Sequence, residues 1–370
     1  MFKIAKKELA KLLIKCTCIA IYCIFPLLIN AEASKFKVGV ISPLSGKAAF
    51  IGTAIENGIS LAKKDKPDLL SSIDFIFEDS QFENKPAVSA FNKFKSDPKI
   101  SLIYIFGHGQ SHVLAPLAES AKIPLVACSG EAKISHGRNY VIRFFPPHEW
   151  LGAKLMDYLR AQGHKNLGMI KSEISNIENI YRGLKSQIKA EESLVVVDEY
   201  PIEASDFRTS IVKIKKKNFD ALGVFLNQGQ IGPFYKQLAE LRHSIPTFGT
   251  HAMESEEEIK SAGSGIEGAV YPAVTATTDF IARYRNEFAN EDYVSFASNA
   301  YDFAVFFGEL THDKQTLPKS EQLVESFRLI EDYQGVSGQI KYLKSSEFGD
   351  GFIFPVAIKT IKSGKVVTLD

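Results

Sequence analysis

The chain has 370 residues, and its 44 lysines and arginines nearly balance its 43 aspartates and glutamates, which gives a formal net charge of +1. This balance excludes the basic footprint that nucleic-acid-binding proteins carry and the polybasic surface that anionic lipids attract. The length is sufficient for two separate hydrophobic cores.

Residues 1–33 have the pattern of a secretory signal peptide. Five lysines lie within the first fifteen residues, an apolar run follows from Cys16 to Ile29, and Ala31-Glu32-Ala33 offers small residues for cleavage. The run is shorter than the about 20 apolar residues that a membrane-spanning helix needs. Cys23 follows Ile21-Tyr22, a poor match to a lipidation motif, so cleavage without a lipid anchor is expected. Cleavage removes five lysines and two glutamates and leaves a net charge of −2.

The same cleavage leaves Cys128 as the remaining cysteine of the mature chain. An exported chain with one thiol has no internal disulfide framework. Its stability is therefore expected to come from hydrophobic packing.

From residue 36 onward, apolar strands alternate with amphipathic helices in two successive sets. The first set, in the order strand then helix, covers Phe36–Ser42, Gly52–Lys64, Ile73–Glu78, Pro86–Lys95, Ser101–Phe106, Gln110–Ala121 and Ile123–Ala127. The second set, in the order helix then strand, covers Pro147–Ala161, Leu167–Lys171, Ile177–Ala190, Leu194–Glu199, Ser205–Lys217, Ala221–Leu226, Ile231–His243 and Pro246–Phe248. Such alternation is typical of parallel sheets with helices on both faces. It predicts an α/β protein with two doubly wound parallel-sheet lobes.

The last third of the chain is mainly helical and indicates a return to lobes already built. Helices are predicted at Asp279–Phe288, Ser295–Leu310 and Lys319–Leu329, and short extended pieces at Tyr333–Gly338 and Phe352–Ile358. Proline disfavours helix at the preceding residue, so Pro146-Pro147 and Tyr271-Pro272 are the predicted crossings between lobes. The predicted division is a signal peptide at 1–33, a first lobe of 34–146 plus 273–330, and a second lobe of 147–272 plus 331–370.

The sequence carries no recognisable catalytic constellation. Its eight histidines are scattered without an HExxH motif, and no GxSxG nucleophile elbow occurs. Ser186 and Ser210 begin SxxK matches but lack the companion motifs of that enzyme class. Cys128 stands alone, and a lone buried cysteine usually packs as a small hydrophobic residue. We therefore expect a binding protein with no catalytic residue, metal or cofactor.

Glycine and short polar residues cluster where the predicted strands end. These segments are Ser42–Gly46, Gly107–Ser111, Cys128–Glu131, Lys171–Asn176, Asn227–Gln230 and Gly249–Ala252. In open α/β sheets, ligands bind outside the carboxyl ends of the strands, and helix N-termini there favour anionic groups. Because two hinged lobes can close on a solute, the cleft between them is the predicted binding site.

Several segments resemble the type I periplasmic binding proteins, in particular the leucine/isoleucine/valine-binding group that serves ABC importers. The matching segments are Val38–Gly46 with Gly52, Phe77–Ser80, Gly107–Ala118, Ile123–Val126 before Ser129, and Ala300–Ala304. Their order and spacing extend over essentially the whole mature chain. The resemblance implies a monomeric periplasmic receptor that traps a small polar solute, such as an amino acid, and delivers it to an ABC permease in the inner membrane.

The resemblance also implies seven ligand-binding candidates, which are Ser111, Ser129, Gly130, Glu131, Asn176, Asn227 and His251. In amino-acid-binding members, hydroxyl and amide groups at the positions of Ser111, Ser129 and Gly130 hold the ligand carboxylate. Glu131 stands where a hydroxyl residue is common, and Asn176 stands where an aromatic residue is usual. His251 lies near the position of the acid that holds the ammonium group. These departures argue against an ordinary α-amino acid bound in the usual pose.

Two ligand hypotheses and a second functional class remain open at this point. Glu131 either pairs with an amide, urea-like or cationic solute, or it points away while Ser111, Ser129 and loop amides bind a carboxylate. The alternative function is that of a sensor or envelope regulatory protein that keeps the two lobes but has lost transport.

Overall fold

The structure is a computed structural model, and it describes residues 36–289, 293–312, 314, 318–345 and 349–369. The predicted signal peptide, residues 1–33, lies outside the described residues. No helix in the described ranges has both the length and the apolar character that crossing a lipid bilayer requires.

Strands and helices alternate through the first two thirds of the chain, as predicted. The first stretch consists of β1 (Phe36–Ser42), α1 (Ala49–Asp65), α2 (Pro67–Leu70), β2 (Ile73–Asp79), α3 (Asn84–Ser96), β3 (Ile100–Phe106), α4 (His108–Ala121), β4 (Leu125–Cys128) and β5 (Val141–Phe144). The second stretch consists of α5 (His148–Ala161), β6 (Asn166–Ser172), α6 (Ser175–Ser186), β7 (Ser193–Tyr200), α7 (Arg208–Lys215), β8 (Ala221–Phe225), α8 (Ile231–Glu240), β9 (Thr247–Gly249), α9 (Glu256–Ala262) and β10 (Val270–Val274). The last stretch consists of α10 (Thr278–Phe288), α11 (Val294–Thr311), α12 (Ser320–Arg328), β11 (Tyr333–Gly335), β12 (Gly338–Leu343), β13 (Gly351–Ile353), β14 (Val356–Lys362) and β15 (Lys365–Leu369).

The strands form two sheets, one in each lobe. Within the described residues, the first sheet has the order β11-β12-β13-β5-β4-β3-β1-β2 and the second has the order β15-β14-β10-β9-β8-β6-β7. The pairs between β1 and β5, and those between β6 and β10, are parallel. The antiparallel pairs of the described strands lie at one edge of each sheet, where strands from the last part of the chain are added. Two parallel-dominated sheets with covering helices confirm the predicted fold class.

Helix α11 lies in the core of the first lobe. Its sequence VSFASNAYDFAVFFGELT is apolar on nearly every face, which is typical of a helix enclosed by other elements. Asn299 is fully buried, and it accepts a hydrogen bond from the Tyr104 hydroxyl and donates one to the Phe144 carbonyl oxygen, both at 2.8 Å. Asp302 accepts two backbone hydrogen bonds from the β11–β12 turn. The helix thus connects the central strands of the sheet to the strands at its edge.

The path of the C-terminal segment differs from the predicted division. Residues 331–370 were predicted for the second lobe, whereas β11, β12 and β13 pair within the first sheet and only β14 and β15 join the second. The reason lies in tertiary contacts. Arg143 is fully buried and donates to the carbonyl oxygens of Phe352 and Gly349, which are 209 and 206 residues away in the chain. The Phe352 ring packs edge-on against Phe144 at 5.0 Å between centroids. The local sequence predicted extended pieces here, but it could not show which sheet they join, because their partners are distant in the chain.

The described chain crosses between the lobes at 145–147, 275–277 and 354–355. The first crossing includes Pro146-Pro147, where it was predicted. The second crossing lies a few residues after the predicted Tyr271-Pro272, because β10 extends the second lobe to Val274. The backbone N–H of Thr275 donates to the Pro355 carbonyl oxygen at 3.1 Å. The second and third crossings therefore lie side by side and connect the lobes as one hydrogen-bonded hinge.

Candidate functional site

A cleft of about 710 Å³ lies between the two lobes, at the carboxyl ends of their parallel strands. The first lobe contributes the residues that follow β3 and β4, and the second lobe contributes those that follow β6, β8 and β9. This is the location at which open α/β sheets bind ligands. Another depression, of about 530 Å³, lies on the first lobe alone, between the 135–139 and 344–350 segments and away from these strand ends.

Five of the seven candidate residues line the cleft, and two do not. The lining residues are Ser129 and Gly130 from the first lobe and Asn176, Asn227 and His251 from the second. Ser111 lies in the first turns of α4, fully buried behind the cleft wall, and its N–H bonds to the Gly107 carbonyl oxygen at 2.9 Å. Its hydroxyl has no hydrogen-bond partner in the described protein. Glu131 also lies outside the lining.

Gly130 allows a second-lobe residue to reach the floor of the cleft. Strand β4 ends at Cys128, and the Ser129 hydroxyl then accepts the Glu131 N–H at 3.2 Å, which turns the chain. The His148 N–H donates to the Gly130 carbonyl oxygen at 2.9 Å, and a Cβ on Gly130 would lie 2.0 Å from the His148 ring. Only glycine leaves room for the imidazole at this point.

Glu131 pairs with a histidine of its own lobe. Its carboxylate lies 2.8 Å from His108 Nε2, and the hydrogen bond from His108 lowers the pKa of Glu131 to about 2. The Asn179 amide nitrogen, on α6 of the second lobe, lies 3.4 Å from the same His108 nitrogen. The pair is therefore close to the line where the lobes meet, and this geometry favours the hypothesis in which Glu131 points away from the ligand.

We expect the Glu131–His108 pair to stabilise the folded protein at neutral pH and to lose this contribution in acid. A carboxyl with a depressed folded-state pKa stabilises the folded state above its unfolded pKa, and the contribution disappears as pH falls through the folded pKa. As the pH falls from about 4.5 to about 2, the unfolding free energy of the natural chain should therefore fall by about 1–2 kcal/mol more than that of Glu131→Gln. This value is smaller than the full pKa shift implies, because solvent screens a partly exposed side chain. Urea unfolding at a series of pH values measures the difference.

Glu203→Gln is the matched control for this titration, because Glu203 is exposed and lies outside the cleft. It should retain the pH dependence of the natural chain. Parallel acid curves for the natural chain and Glu131→Gln would show that the His108 contact adds nothing to stability.

Three histidines form a row along the cleft. The sequence did not show that these three residues would lie together. The rings of His108 and His148 stack nearly parallel at 5.6 Å between centroids, and His148 and His251 follow at 6.0 Å. Burial lowers the pKa of His148 well below its usual range and also lowers the pKa of His251. These two rings are therefore neutral at pH 7. Of the three, only His251 had been a candidate, because the contacts that bring them together join distant segments.

Aromatic side chains form much of the remaining wall, and sequence reasoning missed them as well. They are Phe82, Phe106, Phe145, Tyr293 and Phe296. Phe106 meets Phe296 edge-on at 4.8 Å, and Phe296 also contacts the ring of His251 at 6.0 Å across the lobes. Local sequence could have indicated only two of these aromatic residues as part of the cleft wall. Phe106 ends a strand, and Phe145 precedes the crossing at Pro146-Pro147.

The lining of the described cleft includes no lysine or arginine, and its two acids are on the second-lobe side. Glu258 is buried and accepts the N–H groups of Gly229 and Gly232 at the start of α8, while Glu257 is exposed. Glu258 is thus engaged as a helix cap. No cluster of three or more potential metal ligands occurs among the described residues.

The comparisons with known proteins concern the family and the fold of the chain. A family model described as periplasmic binding protein matches residues 35–364. A leucine-binding protein from Thermotoga maritima is 19% identical, with a TM-score of 0.78 over 90% of this chain and 97% of its own. A solute-binding protein from Rhodopseudomonas palustris in complex with 3,4-dihydroxybenzoic acid is 21% identical, with a TM-score of 0.77 over 91% and 96%.

A branched-chain amino acid transporter substrate-binding protein from Streptococcus pneumoniae, in complex with isoleucine, has 19% identity and a TM-score of 0.77 over 90% of this chain and 100% of its own. No curated protein sequence matches significantly. At these identities the structural likeness concerns the fold, whereas the family model covers most of the sequence. The chain therefore belongs to the periplasmic binding protein family, in its type I, leucine/isoleucine/valine-binding-like branch.

Proposed function

We propose that the chain is the periplasmic receptor of an ABC importer and that its lobes capture a small solute between them. The observation that carries the proposal is the cleft of about 710 Å³, whose wall is supplied by both lobes next to a hydrogen-bonded hinge. A solute bound there contacts both lobes, so its binding free energy favours their closed arrangement. The closed receptor then presents the solute to the permease of the inner membrane.

Related structures support small organic acids as solutes. Those named above hold isoleucine and 3,4-dihydroxybenzoic acid, and two further Rhodopseudomonas palustris proteins hold benzoate and 4-hydroxybenzoate. All of these molecules fit a cleft of this size. We assign capture and release to the chain and no chemical step.

The proposed contacts follow from the lining. Ser129 and the Gly130 backbone approach the solute from the first lobe, and Asn176, Asn227 and His251 approach it from the second. Ser111 and Glu131 support the site from behind, because Ser111 is buried in α4 and Glu131 is paired with His108.

Blocking the cleft should abolish solute binding without unfolding the protein. Asn176 is partly exposed and lines the cleft, so the indole of Asn176→Trp would occupy solute space. The measurement is a thermal-shift screen of the mature protein against amino acids, amides, ureas, polyamines and small organic acids. A solute at 100 times its Kd adds about 2.7 kcal/mol to the unfolding free energy, and this gain should vanish in Asn176→Trp.

Asn92→Trp is the matched control, because Asn92 is exposed on α3 and lies outside the cleft. It should bind the solute like the natural chain. A stabilising solute that binds Asn176→Trp unchanged would contradict the site. If no compound in the panel stabilises the protein, the result would contradict the receptor proposal and favour the regulatory alternative.

A further inference from the structure

The turn between β11 and β12 connects the first lobe to the hinge. The Val336 carbonyl oxygen accepts the Thr277 N–H at 2.8 Å. The Ser337 carbonyl oxygen accepts the Thr275 hydroxyl at 3.0 Å. Thr275 and Thr277 belong to the second crossing, which is itself bonded to the third through the Pro355 carbonyl oxygen. The position of this turn therefore determines where both crossings leave the first lobe.

A buried carboxylate holds the turn in place. Asp302 on α11 is 1% exposed, and its two oxygens accept the N–H groups of Val336 at 2.7 Å and Ser337 at 2.9 Å. The turn approaches the carboxylate closely, because a Cβ on Gly335 would lie 2.5 Å from one of these oxygens. The Ser337 hydroxyl also lies 3.0 Å from that of Ser298 on the same helix. Since α11 is enclosed in the core of the first lobe, these bonds fix the hinge to a rigid element.

The Asp302 carboxylate has no cation to neutralise it. Its hydrogen bonds and charge contacts among the described residues include no lysine or arginine. Burial raises the pKa of Asp302 to about 7, although the bonds from Ser337 and Val336 act in the opposite direction. An ionised carboxylate only accepts hydrogen bonds, whereas a protonated one carries an O–H donor, and bonds to a charged acceptor are the stronger ones. Protonation therefore weakens the hold on the turn.

The other titratable groups around Asp302 are two tyrosines and one glutamate. Tyr333 on β11 faces Asp302, and Tyr301 and Glu309 on α11 act on the same tyrosine. Burial raises the pKa of both tyrosines, that of Tyr301 to about 12, so both are neutral near pH 7. Partial burial also raises the pKa of Glu309, so this residue needs a control variant.

We propose that Asp302 is a positioning residue of the hinge and that protonation of its carboxylate loosens the hinge, which widens the range of angles between the lobes. This inference rests on the lobe closure proposed above and adds a means of controlling it. Ordering a wider ensemble into one closed arrangement costs more conformational entropy. Affinity for a solute of the cleft should thus be lower in mild acid than above neutral pH, although Asp302 lies outside the cleft lining.

The distance between the lobes tests this inference without a solute. Spin labels attached to Glu83→Cys in the first lobe and Glu203→Cys in the second report that distance by pulsed electron resonance, and both positions are exposed. Cys128 does not compete for the label, because it is buried and burial raises the pKa of its thiol to about 12. The distance distribution of the otherwise natural chain should be about twofold broader at about pH 5.5 than at about pH 8, with a midpoint at about pH 7.

Two variants of the labelled chain loosen the hinge by different routes. Asp302→Asn keeps the shape of the side chain but turns an amide donor toward one of the two N–H groups. It should give the broad distribution at both pH values. Thr275→Val removes the hydroxyl bond between the crossing and the turn and leaves Asp302 intact. It should give a broader distribution than the natural chain at about pH 8, and it serves if Asp302→Asn does not fold.

Asp220→Asn is the matched control. Asp220 also accepts two neighbouring backbone N–H groups, those of Lys165 at 2.9 Å and Asn166 at 2.8 Å. It precedes β8, however, and so lies at the opposite edge of the second sheet from the crossing that follows β10. Asp220→Asn and Glu309→Gln should both retain the narrow distribution above neutral pH and the broad one in mild acid.

Each outcome supports or overturns a defined part of the inference. A natural chain whose distribution does not change with pH would overturn the effect of protonation. An Asp302→Asn chain with the narrow distribution would overturn the positioning role, and one that keeps the full pH response would show that another group titrates. Because these distances need no solute, a chain that shows the response but binds nothing in the thermal-shift screen would overturn the receptor function alone. A chain that binds a solute without the response would overturn this inference alone.

Discussion

Replacing Lys359 by methionine should lower the unfolding free energy by about 3–5 kcal/mol. Lys359 on β14 and Glu254, which follows β9, form an ion pair at 2.5 Å, and each residue is only 6% exposed. Removing one partner leaves the other charge buried without compensation, which is far more unfavourable than the loss of an exposed pair. Urea unfolding of the purified mature protein measures the change.

The double variant Lys359→Met/Glu254→Met is the control for this prediction. Replacing both charges by apolar groups of similar volume removes the uncompensated charge and should recover most of the lost stability. A double variant as unstable as Lys359→Met alone would contradict the electrostatic explanation and indicate a packing defect. Because Glu254 lies three residues after His251, the pair also supports the second-lobe side of the cleft.

Gly183→Ala should destabilise the second lobe by about 2–4 kcal/mol, although alanine is the better helix former. Helices α5 and α6 cross so closely that a Cβ on Gly183 would lie 2.0 Å from the Glu149 carbonyl oxygen, and a Cβ on Gly152 would lie 2.0 Å from that of Ile180. Both obstacles are backbone atoms, so the helices would have to move apart. Chemical unfolding measures the loss.

Gly109→Ala is the matched control, because Gly109 is also helical but a Cβ there would meet nothing nearer than 3.4 Å, an ordinary contact. It should change stability by less than about 1 kcal/mol. A Gly183→Ala protein as stable as this control would contradict the close approach of the helices. Since α5 begins at His148 and α6 carries Asn176, the same crossing positions residues on both sides of the cleft.

Most of the architecture could be predicted from the sequence because it follows from local pattern. Apolar runs such as Ile100–Phe106 become buried parallel strands, and amphipathic segments such as Ser175–Ser186 become covering helices. The alternation predicted two doubly wound lobes, and the structure and the family match confirm that fold and the resemblance. The last crossing could not be predicted in the same way, because β13 is placed by Arg143 and Phe144 from a distant part of the chain.

The candidate site was predicted only in part, for a related reason. Strand ends with glycine and short polar residues pointed to the edge of each sheet at which the cleft lies, and Ser129, Asn176 and Asn227 line that cleft. Sequence spacing could not show that Glu131 turns to His108 or that Ser111 is buried inside α4, because side-chain direction depends on packing partners.

The sequence by itself thus determined the alternating elements, the two-lobed class and the sheet edges at which the cleft lies, because hydrophobic periodicity and turn residues act over short distances. Only the tertiary structure decided the chemical character of the cleft. His108, His148 and His251 are 40 and 103 residues apart along the chain and meet because the first turns of α4 and α5 and the segment after β9 converge between the lobes. Long-range packing brings their rings within contact distance and leaves their Nδ1 atoms buried beside the aromatic wall.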